Sequence, residues 1–531
     1  MPDEPHAEER FCPGEEHIKI SEAICIGRRR ANFRKCPGCQ FNDDERGQST
    51  YYSLNPPKDK SIPRASMEID QRDSIHKVFK AYDVRATVPD LLNEDVAWRI
   101  GNATAQFLRT SLTGYDRSDS SMNTLVVGRD MRKHSPQLCR AFMEGAAAVG
   151  TPVIDIGMID TPQIAFAANH MPCCGGVQTT ASHNPANYNG FKISGPKGKP
   201  IGAETGLQEI ERIARAIARH PVPELAPIST MDLSEEYRAY LHRFLREPRP
   251  LKAVIDASNG MAGRWFPILF NGVPNLTIIP VNFEHDGDFV HPPNPLVAAN
   301  LVQLQAAVRE HKADFGACFD GDADRCMFVD ENTDIVRCDL VTALLAGEYL
   351  RERPGATIVY DLRSSRVVKE TIEKAGGRPR RERVGHVYMK RTMADNNAVF
   401  GGELSGHFYF RDFYFCDSGM LAFIAMCNVL TRSGKPMSEL MDPLNRYEAS
   451  GERNFENDDR DGTFKKLADK YKDAEIDHLD GVTIQYPDWW FNVRGSNTEP
   501  LLRLNMEASD GRVLQEKLAE LTPLLGNPVA H

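Results

Sequence analysis

An apolar run that ends in aspartate or a glycine-containing turn, and then gives way to a helical pattern, recurs three times: V-V-G-R-D at 126 to 130, V-I-D-A-S at 254 to 258, and I-V-Y-D-L-R at 358 to 363. A short β-rich segment followed by an amphipathic helix can bury its strand only in a sheet covered by helices, so the pattern predicts α/β architecture. Around the first copy, Ser135-Pro136 reads as the N-cap and first-turn proline of a helix, and Val153 to Ile156 as the next strand. Three related α/β units are expected, with functional residues gathered at the carboxyl ends of their strands.

A chain of 531 residues exceeds what one hydrophobic core supports, and roughly three to five domains are expected. The last eighty or so residues have a different texture. Two strand-like runs, Gly481 to Tyr486 and Leu501 to Met506, precede a closing helix from about Gly511 to Leu521, which suits a smaller α+β domain. The expected division is a Cys-rich segment at 1–48, a linker at 49–75, α/β domains at 76–227, 228–334 and 335–447, and the α+β domain at 448–531. The four folded domains are expected to surround a central cleft.

Composition removes several function classes. The net charge of −10 leaves no basic surplus for a general nucleic-acid binder. No apolar run approaches the ~20 residues that cross a bilayer, and the N-terminus is too polar and acidic for a secretory signal, so a cytoplasmic protein is expected. Twelve cysteines scattered over the chain read as reduced thiols. Cys139, Cys318, Cys326 and Cys427 lie in apolar contexts and read as core.

Four loops carry the chemistry. T-T-A-S-H-N-P at 179 to 185 follows a buried-looking strand, Gly175 to Thr179, and isolates the Ser182 hydroxyl among small, turn-forming residues. D-G-D-A-D-R at 320 to 325 lies between the apolar runs Phe315 to Phe319 and Cys326 to Val329. Asp320, Asp322 and Asp324 can converge on one hard cation, and oxygen-only ligands favour Mg²⁺. G-G-E-L-S-G-H at 401 to 407 follows an expected strand, Ala398 to Phe400, and would place Glu403 and Ser405 on one side of an extended segment, where they could grip sugar hydroxyls. R-G-S-N-T-E-P at 494 to 500 offers a guanidinium, two hydroxyls, an amide and a glycine backbone, which suits a phosphate cradle that recognises without reacting.

With these motifs in this order, the chain from about Val78 to its C-terminus resembles the α-D-phosphohexomutases, and most of all their bacterial phosphomannomutase/phosphoglucomutase group. The resemblance implies a sugar-phosphate isomerase that moves a phosphoryl group between the 1- and 6-positions of mannose, glucose or both, through a phosphoserine and a hexose 1,6-bisphosphate. It implies that Ser182 is the phosphorylated serine, that Asp320, Asp322 and Asp324 hold Mg²⁺ together with it, and that Arg325 steadies the phosphate. Tyr82 and Arg85, in A-Y-D-V-R-A, match a motif whose arginine faces the reacting group. Lys192, with a depressed pKa, or His386 would carry protons, with His407 assisting. Glu403 and Ser405 would read the sugar, and Arg494, Ser496, Asn497 and Thr498 would hold the non-reacting phosphate.

Two positions depart from the family motif, alanine standing for glycine at Ala86 and Ala323; the second requires a backbone angle that tolerates a Cβ. A phosphoglucosamine mutase and a serine-dependent sugar-phosphate phosphatase are the rival activities, and an inactive binding protein is the rival of a different class. Partners are expected to be small sugar phosphates, with neither nucleic acid nor membrane, and the choice between monomer and dimer stays open. In the N-terminal segment, Cys36 and Cys39 form a knuckle that Cys12 and Cys25 could complete as a tetrahedral Zn²⁺ site, with His17 as a competing ligand.

Overall fold

The computed structural model describes residues 9–12, 15–21, 74–110, 120–496 and 501–529. Strands β1 (Glu9–Cys12) and β2 (Glu15–Ser21) pair antiparallel within a unit, Met1–Glu68, distinct from the unit Ile69–His531. Cys25, Cys36 and Cys39 lie outside the described residues, as do the side chains of Cys12 and His17.

The second unit contains the expected repetition. Its first sheet holds β3 (Val84–Thr87), β4 (Leu125–Arg129), β5 (Val153–Met158), β6 (Gly175–Thr179), β7 (Tyr188–Ser194) and β8 (Ile228–Thr230), ordered β3-β7-β6-β4-β5-β8. The next holds β9 (Leu251–Asp256), β10 (Leu276–Val281), β11 (Phe315–Phe319), β12 (Cys326–Asp330) and β13 (Ile335–Val336), ordered β10-β9-β11-β12-β13. The third holds β14 (Thr357–Asp361), β15 (Arg378–Glu382), β16 (Phe400–Gly402), β17 (Phe408–Phe410) and β18 (Cys416–Asp417), ordered β15-β14-β16-β17-β18. Each sheet therefore contains one four-strand plan. The echo strand lies parallel between its second and third strands, and the fourth returns antiparallel beside the third.

Helices supply the parallel crossovers: Ser135–Ala147 and Pro162–His170 in the first sheet, Met261–Phe270 and Val302–His311 in the second, Arg366–Lys374 and His386–Asp395 in the third. With helices covering the sheets, β6, β11 and β14 are buried along their whole length, as strands of a covered parallel sheet must be, and so is the antiparallel β12 beside β11. Ser135 departs from the expectation: it is the first helical residue, not the cap, and its hydroxyl donates to Asp130 Oδ1 at 2.5 Å. The third strand of the last repeat runs Phe400–Gly402 where Ala398 to Phe400 was expected, because residues 400–402 are those that pair with β14.

The C-terminal sheet is built differently. β20 (Arg453–Glu456), β21 (Glu475–Asp477), β22 (Val482–Gln485), β23 (Trp489–Gly495), β24 (Leu501–Ala508) and β25 (Asn527–Val529) run in the order β21-β22-β23-β24-β20-β25, with β19 (Glu448–Ala449) beside β24. The helices Arg460–Lys470 and Gly511–Leu525 pack on it through Leu467, Leu514, Leu518 and Leu521. Among the described residues no helix is long and apolar enough to cross a membrane. The eight cysteines of this unit are buried and unpaired, Cys173 and Cys174 included.

Candidate active site

The three reactive loops of the α/β repeats occupy one topological position. Each is the turn between the third, parallel strand and the fourth, antiparallel one: residues 180–187 after β6, 320–325 after β11, and 403–407 after β16. In such sheets ligands bind beyond the carboxyl ends of the strands, where these turns lie.

Ser182 sits in the first turn with φ of 49°, left-handed for a non-glycine residue, and its side chain is 1% exposed. Its Oγ donates to Asp320 Oδ2 at 2.7 Å and lies 3.3 Å from His183 Nδ1. The turn is held from beneath by Arg132, wholly buried, whose guanidinium donates to the carbonyls of Ser182, Asn184, Pro185 and Tyr188 at 2.7 to 3.1 Å while pairing with Asp130. Arg85 reaches the same turn, donating to Asn184 Oδ1 at 2.7 Å, with its other terminal nitrogen on Asp83 at 2.5 Å.

In the second turn Asp320, Asp322 and Asp324 are all buried, and ligand oxygens from the three lie within 4.8 Å of one another. Among the described residues Asp322 Oδ1 and Asp324 Oδ1 accept no hydrogen bond, although His407 Nε2 lies 3.5 Å from the second. Burial and the neighbouring carboxylates of Asp324 and Asp322 push the Asp320 carboxyl up. A buried trio of hard oxygen donors with unmet acceptors fits a divalent cation. Lys192 Nζ lies 2.7 Å from Asp322 Oδ2 and 2.6 Å from Asp324 Oδ2. Burial lowers its pKa, but the aspartates outweigh burial and raise it, so the depressed lysine expected from sequence is corrected to a held ammonium. Ala323 takes φ of 58°, the left-handed angle its family motif fills with glycine, whereas Ala86 sits in ordinary strand backbone in β3.

The third turn is tied to the second by Cys326 N–H donating to the Gly406 carbonyl at 3.0 Å. Glu403 and Ser405 belong to a tight turn, not an extended segment. Glu403 is buried, accepting from the Gly385 N–H at 3.1 Å and from the Tyr409 hydroxyl at 2.5 Å, and lies 3.3 Å from His407 Nδ1. Ser405 Oγ is 2.9 Å from His407 Nδ1, and Arg325 Nε lies 3.2 Å from His407 Nε2. Burial and Arg325 lower the His407 pKa, but Asp324 and Glu403 outweigh them and raise it to about 9. His386 begins the helix His386–Asp395 with its ring 6.5 Å from that of His407 and 5.8 Å from that of Tyr82. Burial, then Lys390 and Lys192, hold its pKa well below the ordinary histidine range. The Tyr82 hydroxyl donates to the Val384 carbonyl at 3.2 Å.

Arg494 stands apart from this network, at the end of β23, only 2% exposed, with its Nη2 3.3 Å from Glu452. Ser496 follows β23, its N–H donating to the Leu501 carbonyl at 2.8 Å; Asn497 and Thr498 lie outside the described residues. Sequence reasoning missed Arg132 and Thr161, whose hydroxyl donates to Asp322 Oδ2 at 2.5 Å, and the acidic residue Glu452. A signal for Arg132 existed. The echo reads Asp-x-Arg at both 130–132 and 361–363, and in each copy the aspartate accepts from the arginine backbone and side chain.

Comparison with known proteins agrees with this geometry. Four family models match in order: the phosphoglucomutase/phosphomannomutase alpha/beta/alpha domains I at 76–220, II at 235–333 and III at 338–447, and the C-terminal domain of that family at 453–523. The chain is 38% identical over 456 residues to phosphohexose mutases of Xanthomonas campestris pv. campestris, covering 84% of this chain and 98% of that relative. It is 37% identical over 462 residues to a phosphomannomutase of Escherichia coli, with the same coverage. A solved phosphoglucomutase/phosphomannomutase family protein from Burkholderia thailandensis superposes with a TM-score of 0.75 at 31% identity, over 84% of this chain and 96% of that one. Fold, motif order and relatives agree, and the chain belongs to the phosphoglucomutase/phosphomannomutase family of phosphohexose mutases.

Proposed function

We propose that this protein interconverts hexose 1-phosphates and hexose 6-phosphates, of mannose, glucose or both, with Ser182 as the phosphoryl carrier. The observation that carries the reading is the Ser182 hydroxyl 2.7 Å from Asp320, at the edge of a buried carboxylate trio with unmet oxygens. Phosphorylated Ser182 would give its phosphoryl group to a sugar hydroxyl, forming a hexose 1,6-bisphosphate, and recover the other phosphoryl group after the intermediate turns over.

Asp320, Asp322 and Asp324, with Ser182 Oγ, would hold Mg²⁺, which when bound supplies positive charge against the oxygens of the transferring group. Arg325 and Arg85 border the same turn and steady the phosphate. His386, kept uncharged by burial and nearby lysines, is suited to accept the sugar hydroxyl proton. Lys192, held as an ammonium, is suited to orient the phosphoryl oxygens, and His407 to donate a hydrogen bond. Ser405 and Glu403 meet the sugar at the third turn, while Arg494 and Ser496, with Asn497 and Thr498, hold the distant phosphate. Binding energy at that end can orient the reacting end.

A coupled assay with Mg²⁺, a catalytic amount of glucose 1,6-bisphosphate, and mannose 1-phosphate, glucose 1-phosphate or glucosamine 1-phosphate tests the reading. Isomerised 6-phosphate is expected from the first or second substrate, with turnover abolished in Ser182→Ala. Free phosphate without isomer, or a Ser182→Ala protein with near-normal turnover, would overturn it. We place the reaction in the cytoplasm on the ground of the unpaired, buried thiols. For the N-terminal segment we propose Zn²⁺ on Cys12, Cys25, Cys36 and Cys39. Metal analysis of protein purified without chelators would then find equimolar zinc, and its absence would refute the site.

A further inference from the structure

We propose that Glu452 is a positioning residue for substrate phosphate, aiming Arg494 by acting as one carboxylate shared among three guanidiniums. This inference rests on the mutase reading for its substrate, but its geometry is independent of it. Glu452 lies between β19 and β20, in the first strand connection of the C-terminal sheet. Its Oε1 is 2.9 Å from Arg503 Nη1, and its Oε2 is 3.3 Å from Arg494 Nη2 and 3.4 Å from Arg363 Nη1. Asn505 Nδ2 donates to the same Oε2 at 3.4 Å.

The need for such a residue follows from strand register. Arg494 of β23 and Arg503 of β24 are directly opposed partners in the antiparallel ladder. Like charges opposite one another destabilise a strand pair and drive the side chains apart unless a counter-charge lies between them. Arg363, entering from the third repeat, adds a third positive charge, although it is gripped from its other side by Asp361 at 2.8 Å. Burial and then Arg363 lower the Arg494 pKa, while Glu452 and then Asp480 act against them. Glu452 gathers the three without saturating Arg494. That side chain spends Nη2 on Glu452 and Nη1 on the Gly495 carbonyl at 3.3 Å, and its buried Nε has no partner among the described residues. A dianionic oxygen cluster can therefore approach Arg494 while Glu452 holds it. The opposite role, an internal anion that competes with phosphate, would call for Glu452 to cover the donors that Arg494 leaves open.

Two opposite outcomes separate these roles. Glu452→Gln and Glu452→Asp are assayed at neutral pH and room temperature with the preferred hexose 1-phosphate, and inorganic phosphate is titrated calorimetrically into each on a Ser182→Ala background. Glu452→Gln is expected to raise KM and weaken phosphate binding roughly tenfold with kcat within about threefold, and Glu452→Asp, which keeps the charge, to fall between it and wild type. A scaffold role alone would lower kcat or the folded fraction without that split. Unchanged or tighter phosphate binding, or a kcat loss with KM unchanged, would overturn the proposal. If Glu452→Gln does not fold, Glu452→Asp decides on the same readouts. If the wild type shows no mutase turnover the functional reading fails, and the phosphate titration alone still decides the role of Glu452.

Discussion

Gly321 and Ala323, two residues apart in the acidic turn, show how differently single positions are constrained there. A Cβ at Gly321 would lie 2.4 Å from the Ser182 carbonyl oxygen, a backbone atom already held by Arg132. The two turns approach so closely that no side chain fits between them. Gly321→Ala must therefore displace the serine turn, and we expect kcat to fall on the order of a hundredfold, with a stability loss of about 1–3 kcal/mol. Ala323 has the opposite problem, space without an easy angle, since its φ of 58° costs an L-residue about 1–2 kcal/mol. Ala323→Gly relieves that strain but loses about 0.5–1 kcal/mol to the freer unfolded chain, so its net effect should stay within about 1 kcal/mol. Steady-state turnover and denaturant midpoints on both variants check the pair. Normal turnover in Gly321→Ala would show that the contact between the turns is not needed.

At the scale of the element, the strand followed by aspartate was the legible unit, and it marked the first strand of each four-strand repeat correctly. The three reactive turns were also legible one at a time, because serine among small residues, alternating aspartates and a glycine-flanked carboxylate each carry side-chain chemistry. Their equivalence was not, since T-T-A-S-H-N-P, D-G-D-A-D-R and G-E-L-S-G-H share no pattern; it is expressed only in strand order. Arg132 was legible only as the Asp-x-Arg echo, and its role in holding the serine turn was not. Four of its partners are backbone carbonyls, which leave no trace in residue identity. Glu403 was seen but given too open a setting, because a turn five residues long cannot be told from a strand tip by composition. Lys192 was assigned the wrong charge state, since its pKa depends on aspartates 130 and 132 positions away, whose approach is a tertiary fact.

Across the whole molecule, the seam between the third repeat and the C-terminal sheet depends on charge to a degree that the apolar cores do not. Arg363 comes from one side, Arg494 and Arg503 from the other, and Glu452, in the first strand connection of the C-terminal sheet, touches all three. Burial alone would raise the Glu452 carboxyl, yet Arg363, then Arg494 and Arg503, bring it down to about 2. An acid whose folded pKa is depressed contributes stability above its unfolded pKa, near 4.5, and loses it as pH falls toward the folded value. With that difference the contribution is on the order of 3 kcal/mol at neutral pH, and most of it is gone by pH 3. Protonation there leaves Asp361 on Arg363 and the more distant Asp480 facing Arg494 and Arg363, so the seam should loosen before the helix-covered sheets do. Denaturant unfolding measured from pH 6 to pH 3 should show wild type losing on the order of 2 kcal/mol more than Glu452→Gln, which has no carboxyl to titrate. Equal losses in the two proteins would mean that Arg363, Arg494 and Arg503 find their counter-charge elsewhere.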